Sequence, residues 1–300
     1  MGIAQGTQAA SSSSSRTPNN LSAPTLTKSP WRKTQFTYQN LVDEIISIKP
    51  QCPANVLLLG PTGAGKSSFI NSILTTAKGR RVNKAYTGNK ETSFTTTYER
   101  YMDEGIVQHC CLWDSMGIEH VLEGGLLLDD LVYLLKGHIK RGYKFNPRSK
   151  ISETDPFFRT KPRIEDQIHC VVFVLDAGMV DEAIMKPYMS KIASLQERAH
   201  SLNIPCNLIL TKIDELCQEV REDAEKTFWS VKVHYAVISA ANMFGIPEGN
   251  IHPVRNYEVD IEIDDAASTH ILIALRQIMY FASDKIEELK KNEERGCIVS

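Results

Sequence analysis

A glycine-rich turn that ends in a lysine and two serines is the part of the sequence best suited to chemistry. The run Gly60-Pro-Thr-Gly-Ala-Gly-Lys66-Ser67-Ser68 fits the pattern G-x-x-x-x-G-K-[ST]. Such a backbone turns its N–H groups towards a phosphate, while the lysine reaches the β- and γ-phosphates and the first serine ligates Mg²⁺. We therefore expect a phosphate-binding loop in which Lys66 is also catalytic. Its predicted contact residues are Gly60, Thr62, Gly63, Ala64, Gly65, Lys66, Ser67 and Ser68.

The residues on either side of this loop have the patterns of a strand and a helix. Residues 54–59 form a short apolar run, which is typical of a buried parallel strand. After the loop, Phe69, Ile70, Ile73 and Leu74 recur at helical spacing. A strand, a glycine loop and a helix, in that order, are the context in which this pattern binds phosphate, because the helix directs its positive end at the anion.

A later motif, D-x-x-G, is expected to contact the γ-phosphate and the metal. It occurs as Asp114-Ser-Met-Gly117, directly after an apolar run. The Asp114 carboxylate can hold Mg²⁺ through water, together with Ser67, and the Gly117 N–H can contact the γ-phosphate. Asp and Gly are common in turns, so this motif has weight only in combination with the others.

A third motif narrows the ligand to a guanine nucleotide. Thr211-Lys212-Ile-Asp214 fits [NT]-K-x-D and follows another apolar run. The Asp214 carboxylate can accept hydrogen bonds from guanine N1–H and the 2-amino group, and the Lys212 stem can cover the base. Adenine lacks that donor pair and would leave the acid unpaired. The three motifs therefore predict GTP or GDP with Mg²⁺ and disfavour an ATP-dependent kinase.

Composition agrees with a cytosolic α/β protein. The 300 residues are 42% hydrophobic with a net charge of −2, so no global basic field indicates nucleic acid. Seven cysteines without a CxxC pair favour reduced thiols over disulfides or a zinc site. No apolar run reaches membrane-spanning length, and the N-terminus lacks a signal-peptide core. We expect a three-layer P-loop NTPase fold of the GTPase type, with a mostly parallel central sheet and helices on both faces.

The chain is expected to divide into a tail, one domain and a second tail. Residues 1–30 are rich in Ser, Thr, Asn and Pro and predict a disordered tail. The GTP-binding domain is expected over 31–292, with a lead-in helix at 31–49 and an insertion at about 119–166. A flexible tail follows at 293–300. Within the domain we expect strands at 170–175 and 207–210, a hairpin of 94–102 with 107–113, and helices at 126–139, 181–200 and 268–292.

Seven segments, which include the three nucleotide motifs, match those of one family. They read GPTGAGKSSFINS (60–72), WDSMGIE (113–119), GLLLDDLVYLLKGHI (125–139), YKFNP (143–147), DQIHCVVFVLDA (166–177), LTKID (210–214) and GIPEGNIHPVRNY (245–257). The chain thus resembles the GTP-binding domain of the interferon-induced protein 44 and 44-like family over roughly residues 30–290. The resemblance implies a cytosolic, interferon-inducible GTP-binding protein of vertebrate innate immunity. Family members often carry a further N-terminal TLDc-type domain, where this sequence has its serine-rich residues.

The last base-contacting loop has two candidates. Ile238-Ser239-Ala240 resembles the S-A element that often touches guanine, whereas Asn256 follows the apolar run 250–254. We favour Asn256, because a helix over 229–244 that stops near Gly245 would remove Ser239 from the nucleotide. Alternating valines at 231, 233 and 237 favour the opposite assignment.

Catalysis is expected to be slow. The position that holds a water-orienting glutamine in Ras-like enzymes is Ile118, which cannot form a hydrogen bond. Glu119 and His120 are adjacent, and we interpret them as polar neighbours more readily than as water-positioning groups. For the Mg²⁺-linked threonine, counting back from the hairpin turn favours Thr92; the rivals are Thr95 and Thr96. A nucleotide-loaded scaffold that self-assembles, for example as a homodimer, is the second hypothesis.

The chain ends in Cys297-Ile-Val-Ser300, a C-a-a-X sequence of the farnesyl type. We expect Cys297 to be prenylated and to give weak, reversible membrane association. One prenyl chain anchors only weakly, and acidic neighbours prevent a polybasic patch near the cysteine. Met1-Gly2 hints at myristoylation, but Gly6 stands where Ser or Thr is needed. The protein is therefore predicted to be cytoplasmic and peripheral at membranes.

Overall fold

Six short strands form one sheet in the order β2-β3-β1-β4-β5-β6. The computed structural model describes residues 24–85, 97–119 and 125–298. β2 runs antiparallel to β3, whereas the four other neighbouring pairs are parallel. The strands are β1 (Ala54–Leu59), β2 (Glu99–Tyr101), β3 (Cys110–Asp114), β4 (Cys170–Asp176), β5 (Cys206–Thr211) and β6 (Ile251–Pro253).

Helices cover both faces of the sheet, which confirms the predicted three-layer fold. α1, α2 and α8 pack on the face that includes Val56 and Leu58, and α3, α4 and α7 pack on the face that includes Leu57 and Leu59. This division follows from the two-residue alternation of a strand that is buried on both sides. The helices are α1 (Tyr38–Ser47), α2 (Lys66–Lys78), α3 (Leu128–Leu135), α4 (Glu182–Ser201), α5 (Ile213–Leu216), α6 (Gln218–Glu222), α7 (Val231–Phe244) and α8 (Asp265–Ile298).

The parallel strands bring the ends of separate motifs to one edge of the sheet. β1 ends just before Gly60, β3 ends at Asp114, and β5 ends at Thr211. Their carboxyl ends lie side by side because β1 pairs with both β3 and β4, and β4 pairs with β5. Ligands of such open sheets bind at this edge.

Polar caps fix two of the predicted helices. The Asp181 carboxylate accepts the N–H groups of Ala183 and Ile184 at the start of α4. The Ser230 hydroxyl accepts the Val233 N–H at the start of α7, and Gly245 ends that helix with a φ of 62°. The helical prediction for 229–244 is confirmed, and the alternating valines lie on a helix.

Three predicted elements have different bounds. α1 begins only at Tyr38, after its cap Thr37. α3 is shorter than the predicted 126–139, because Gly137 adopts a φ of 82° and turns the chain away. α8 extends to Ile298, so it includes the first six residues of the segment predicted as a flexible tail.

The predicted hairpin is correct only as an antiparallel pair. β2 begins at Glu99 and β3 only at Cys110, since a 3₁₀ turn at Gly105–Val107 occupies the start of the predicted second strand. Residues 94–96 lie outside the described residues.

The predicted disordered tail is also corrected in its described part. Residues 24–30 lie against the start of α7, where the Thr27 N–H donates to the Trp229 carbonyl and the Val231 N–H donates to the Thr25 carbonyl. Residues 1–23 lie outside the described residues. No helix within the described ranges is both long and apolar enough to span a membrane.

Candidate functional site

The glycine-rich loop is built around close backbone approaches. A Cβ on Gly60 would collide with the Val174 carbonyl of β4. Gly63 and Gly65 adopt φ values of 77° and 88°, which L side chains rarely adopt. A Cβ on Gly63 would meet nothing within 4 Å, so the loop is open there. The loop therefore packs tightly against β4 at Gly60 and leaves room for a ligand at Gly63.

Lys66 lies buried at the floor of this cradle. Its Nζ donates to the carbonyls of Gly60 at 2.9 Å and Pro61 at 3.0 Å. Burial lowers the pKa of Lys66 to about 8, and the charge of Asp114 acts in the opposite direction. The ammonium is therefore held at the centre of the loop by weak neutral acceptors that a phosphate can replace.

Ser67 and Asp114 come together as the motifs predict for a metal site. The Ser67 hydroxyl donates to Oδ2 of Asp114 at 2.6 Å, and Asp114 is buried. Gly117 approaches the loop so closely that a Cβ there would lie 2.5 Å from the Thr62 hydroxyl oxygen. That hydroxyl is buried and has no hydrogen-bond partner among the described residues. An oxygen pair beside a lysine-containing loop fits Mg²⁺ bound to a nucleotide phosphate.

Ser68 and Ala64 have supporting positions. The Ser68 carbonyl accepts the Ser72 hydroxyl at 2.7 Å, while Ala64 is buried and its carbonyl accepts the Thr211 hydroxyl at 2.7 Å. Thr211 thus connects the end of β5 to the phosphate-binding loop.

The fold holds Ile118 in the core, where it cannot orient an attacking water. Its N–H donates to the Gly60 carbonyl at 2.9 Å, and its side chain is fully buried in the core beneath α3 and α4. Glu119, next to it, is partly exposed. His120 lies outside the described residues, as do the candidate threonines Thr92, Thr95 and Thr96.

The predicted base-binding residues line one cavity. A space of about 310 Å³ is bordered by residues that include Lys212, Asp214 and Asn256. Lys212 has a φ of 57°, an unusual backbone conformation for a non-glycine residue, and Asp214 stands in the first turn of α5. This arrangement places an acid and a lysine stem beside the loop, as recognition of a guanine base requires.

Asn256 lies at the junction of this cavity and the loop. Its Nδ2 is 3.5 Å from the Gly65 carbonyl, and its buried Oδ1 has no hydrogen-bond partner within the described part of the chain. Ser239 belongs to α7, as the confirmed helix requires. A buried amide oxygen without a partner is costly, so a ligand donor at this position would stabilise it.

A comparison with protein families identifies the fold family. A family model described as 50S ribosome-binding GTPase matches residues 55–212, just over half of the chain. The chain belongs to this GTPase family. The matched residues extend from β1 to Lys212 and include the loop and Asp114, and they give no information about a ribosome.

Similar proteins confirm the resemblance to the interferon-induced protein 44 and 44-like family. Human interferon-induced protein 44-like is 34% identical over 265 residues, which are 87% of this chain and 56% of the relative. Interferon-induced protein 44 is 31% identical in Pan troglodytes, over 86% of this chain and 56% of the relative, and 30% identical in mouse, over 85% and 62%. The chain therefore spans little more than half the length of these relatives.

Two solved GTPase structures are similar more distantly. Toc33 from Arabidopsis thaliana in complex with GDP and Mg²⁺ has a TM-score of 0.45 at 15% identity, covering 83% of this chain and 94% of that one. A small COPII coat GTPase, SAR1, from Encephalitozoon cuniculi in complex with GDP has a TM-score of 0.37 at 14% identity, covering 86% and 90%. Similarity at this level carries no inference about the site of this GTPase.

One residue that contacts Lys212 of the base cavity in this GTPase-family chain was not predicted from the sequence. Asp176 ends β4, and its Oδ2 forms a salt bridge of 2.9 Å with the Lys212 Nζ. Its Oδ1 accepts the Gly178 N–H at 2.8 Å. Burial lowers the pKa of Lys212, but Asp176 together with the charges of Glu215 and Glu258 raises it overall. The sequence does show a carboxylate directly after the predicted strand 170–175. Its contact with Lys212 could not be predicted, because it requires β4 and β5 to be neighbours in the sheet.

Proposed function

We propose that the chain binds GTP and GDP with Mg²⁺ at residues 60–68 and acts as a slow GTPase switch. The observation that supports this most is the contact of Ser67 with Asp114 beside the buried Lys66, since two separate motifs supply the oxygens there. The cavity bordered by Lys212, Asp214 and Asn256 adds a place for the base next to that point.

Each predicted residue then has a role in holding the nucleotide. The loop N–H groups and Lys66 bind phosphate oxygens, Ser67 and Asp114 hold the metal, and Asp214 accepts from the guanine edge. When bound, Mg²⁺ neutralises charge on the β- and γ-phosphates. Lys66 already lies where it can exchange its two carbonyl acceptors for phosphate oxygens.

Slow hydrolysis follows from the residue after the D-x-x-G motif. A buried Ile118 cannot position the attacking water, which accounts for a large part of the rate in GTPases that use a glutamine. Glu119, the next residue, would need a rearrangement to act in its place. Turnover therefore depends on a group supplied by a partner or by a conformational change.

The physiological setting is proposed from the relatives' names. Because they are called interferon-induced, we infer that interferon raises the expression of this protein and that it acts in the innate immune and antiviral response from the cytoplasm. Transcript and protein levels after interferon treatment of cells from its source organism test this directly. An unchanged level would contradict it.

A nucleotide-loaded scaffold is the second candidate, and one observation favours it. The insertion is folded rather than extended, with backbone hydrogen bonds that join residues 138–140 to 157–159, and such a surface suits assembly more than a mobile switch loop. Measuring GTP turnover against protein concentration separates the two. A rate per molecule that rises with concentration indicates self-assembly, whereas a constant slow rate indicates a monomeric switch.

The decisive experiment is to identify the nucleotide that co-purifies with the protein and to measure its turnover. We expect GDP or GTP with the wild type and none with Lys66→Ala. Lys78→Ala at the other end of α2 is the matched control, because Lys84 also pairs with the carboxylate of Asp103 that Lys78 contacts. An adenine nucleotide, or equal binding by both lysine variants, would contradict the proposed site.

A further inference from the structure

The segment from Lys136 to Arg163 is strongly basic, although the whole chain is slightly acidic. It contains nine lysines and arginines but only two acidic residues, a net charge of +7, whereas the whole chain carries −2. The rest of the protein therefore carries −9. We call residues 136–163 the basic segment. A concentration of charge of this size is rarely needed for folding and indicates an anionic partner.

The basic segment is a folded surface. The Lys140 N–H donates to the Phe157 carbonyl at 2.9 Å, and the Arg159 N–H donates to the His138 carbonyl at 2.7 Å. Further in, the Asp130 carboxylate of α3 accepts the Ile151 N–H at 2.8 Å. The backbone that carries these cations is therefore ordered before a partner binds, so little backbone entropy is lost on binding.

Several of these cations have no carboxylate to neutralise them. Arg141 pairs with Glu99, Lys150 with Asp129, and Arg159 and Arg163 with residues 165–166. Five others form no salt bridge with any residue that the structure describes: Lys136, Lys140, Lys144, Arg148 and Lys161. The unpaired cations are available to an external anion.

An aromatic side chain is exposed among them. Phe157 is 39% exposed and follows Pro156, whose carbonyl accepts the Lys140 Nζ at 2.9 Å. Ile139 pairs with Phe158 in an antiparallel bridge, and neighbouring residues of such a pair point to opposite faces. The buried Ile139 therefore lies on one face, and Lys140 and Phe157 lie on the other. Cations interleaved with an exposed aromatic ring suit the headgroup region of a membrane.

We propose that the basic segment is a docking surface for an anionic phospholipid membrane. Binding of a protein surface to such a membrane strengthens with its electrostatic attraction to the anionic lipids and with the apolar area that enters the headgroup region. Each lysine near an anionic surface strengthens binding about fivefold, so three together account for about a hundredfold. The inference is independent of the nucleotide site.

The test uses the full chain without any lipid modification, so that only the protein surface is measured. Sedimentation is compared with vesicles of phosphatidylcholine alone and of phosphatidylcholine with phosphatidylserine. The test variant is Lys136→Gln/Lys144→Gln/Lys161→Gln, all exposed. The matched control removes the same charge from exposed lysines elsewhere, as Lys33→Gln/Lys186→Gln/Lys232→Gln.

We expect the wild type and the control to bind the phosphatidylserine vesicles and the test variant to bind them about a hundredfold more weakly. Equal losses in both variants, or no wild-type binding, would overturn the proposal. So would a mixed-sequence RNA that displaces the wild type from vesicles and binds it more tightly, since the surface would then serve nucleic acid. GDP affinity is measured on the same samples: its absence in the wild type refutes the nucleotide site and leaves the vesicle result intact.

Discussion

Asp176 offers a sharp test of how the base pocket is formed. The variant Asp176→Asn keeps an oxygen to accept the Gly178 N–H but loses the charge that pairs with Lys212. We expect nucleotide affinity to fall because Lys212, which stands in a strained left-handed conformation, would no longer be held beside the base cavity. The turn at Gly178 should survive, so that folding is affected little.

The size of the effect follows from the geometry of the pair. Two unit charges at 2.9 Å attract by roughly 6 kcal/mol at an effective dielectric constant of about 20. Desolvation and side-chain ordering offset most of this, and the two side chains are 28% and 17% exposed. Exposed pairs contribute about 0.2–1 kcal/mol, so a value of about 1 kcal/mol is reasonable here. That corresponds to about fivefold weaker binding of GDP.

A double-mutant cycle isolates this contact. GDP affinity is measured by fluorescent-nucleotide displacement for the wild type, Asp176→Asn, Lys212→Met and the double variant. Asp181→Asn, at the cap of α4, is the control for removing an acid elsewhere. We expect a coupling of about 1 kcal/mol, with no loss from Asp176→Asn once Lys212 is absent. An equal loss in both backgrounds, or none in either, would refute the positioning role.

Three further predictions test the loop, the catalytic centre and the core. Gly60→Ala should abolish nucleotide binding, because its Cβ would collide with the Val174 carbonyl. Gly63→Ala has open space around its Cβ and should cost only about 1 kcal/mol of backbone strain. GDP titration and thermal unfolding check both variants. Ile118→Gln should lower the free energy of unfolding by about 1–3 kcal/mol without raising GTP turnover, since the side chain points into the core; faster turnover would contradict this. Burial lowers the pKa of His169 to about 4, of His252 to about 3 and of His270 to about 4. At pH 5 these three histidines are neutral in the folded protein and protonated in the unfolded chain, so unfolding should take up close to three protons. Their stabilising contribution is present above pH 6.5 and is lost as the pH falls through about 4, and His270→Phe should make the pH dependence of urea unfolding less steep by about one proton.

Local patterns were enough to predict the parts of the site that lie next to each other in sequence. The loop, its helix and the ends of β3 and β5 follow from glycine chemistry and apolar runs. The helical state of 229–244 was predicted against alternating valines because Gly245 provides a stop signal, and the Ser230 cap agrees with it.

Contacts between distant segments could not be predicted. The salt bridge of Asp176 with Lys212 exists only because β4 and β5 are adjacent in the sheet. The backbone hydrogen bonds of Thr25 and Thr27 to the region of Trp229 likewise join residues about two hundred positions apart. The early end of α3, in contrast, had a local signal: Gly137 is a glycine stop like Gly245, but the apolar pattern that continues to Ile139 favoured a longer helix.

In the proposed function, this GTPase-family chain recognises guanine through Asp214. The most direct measurement is a comparison of GDP, ADP and XDP affinities for the wild type and Asp214→Asn. We predict that the wild type prefers GDP to ADP by at least about a hundredfold, because adenine leaves the carboxylate unpaired. The variant should lose GDP and gain XDP, since an amide can donate to the 2-oxo group of xanthine. Equal affinity of the wild type for ADP and GDP, or an unchanged preference in the variant, would contradict the account.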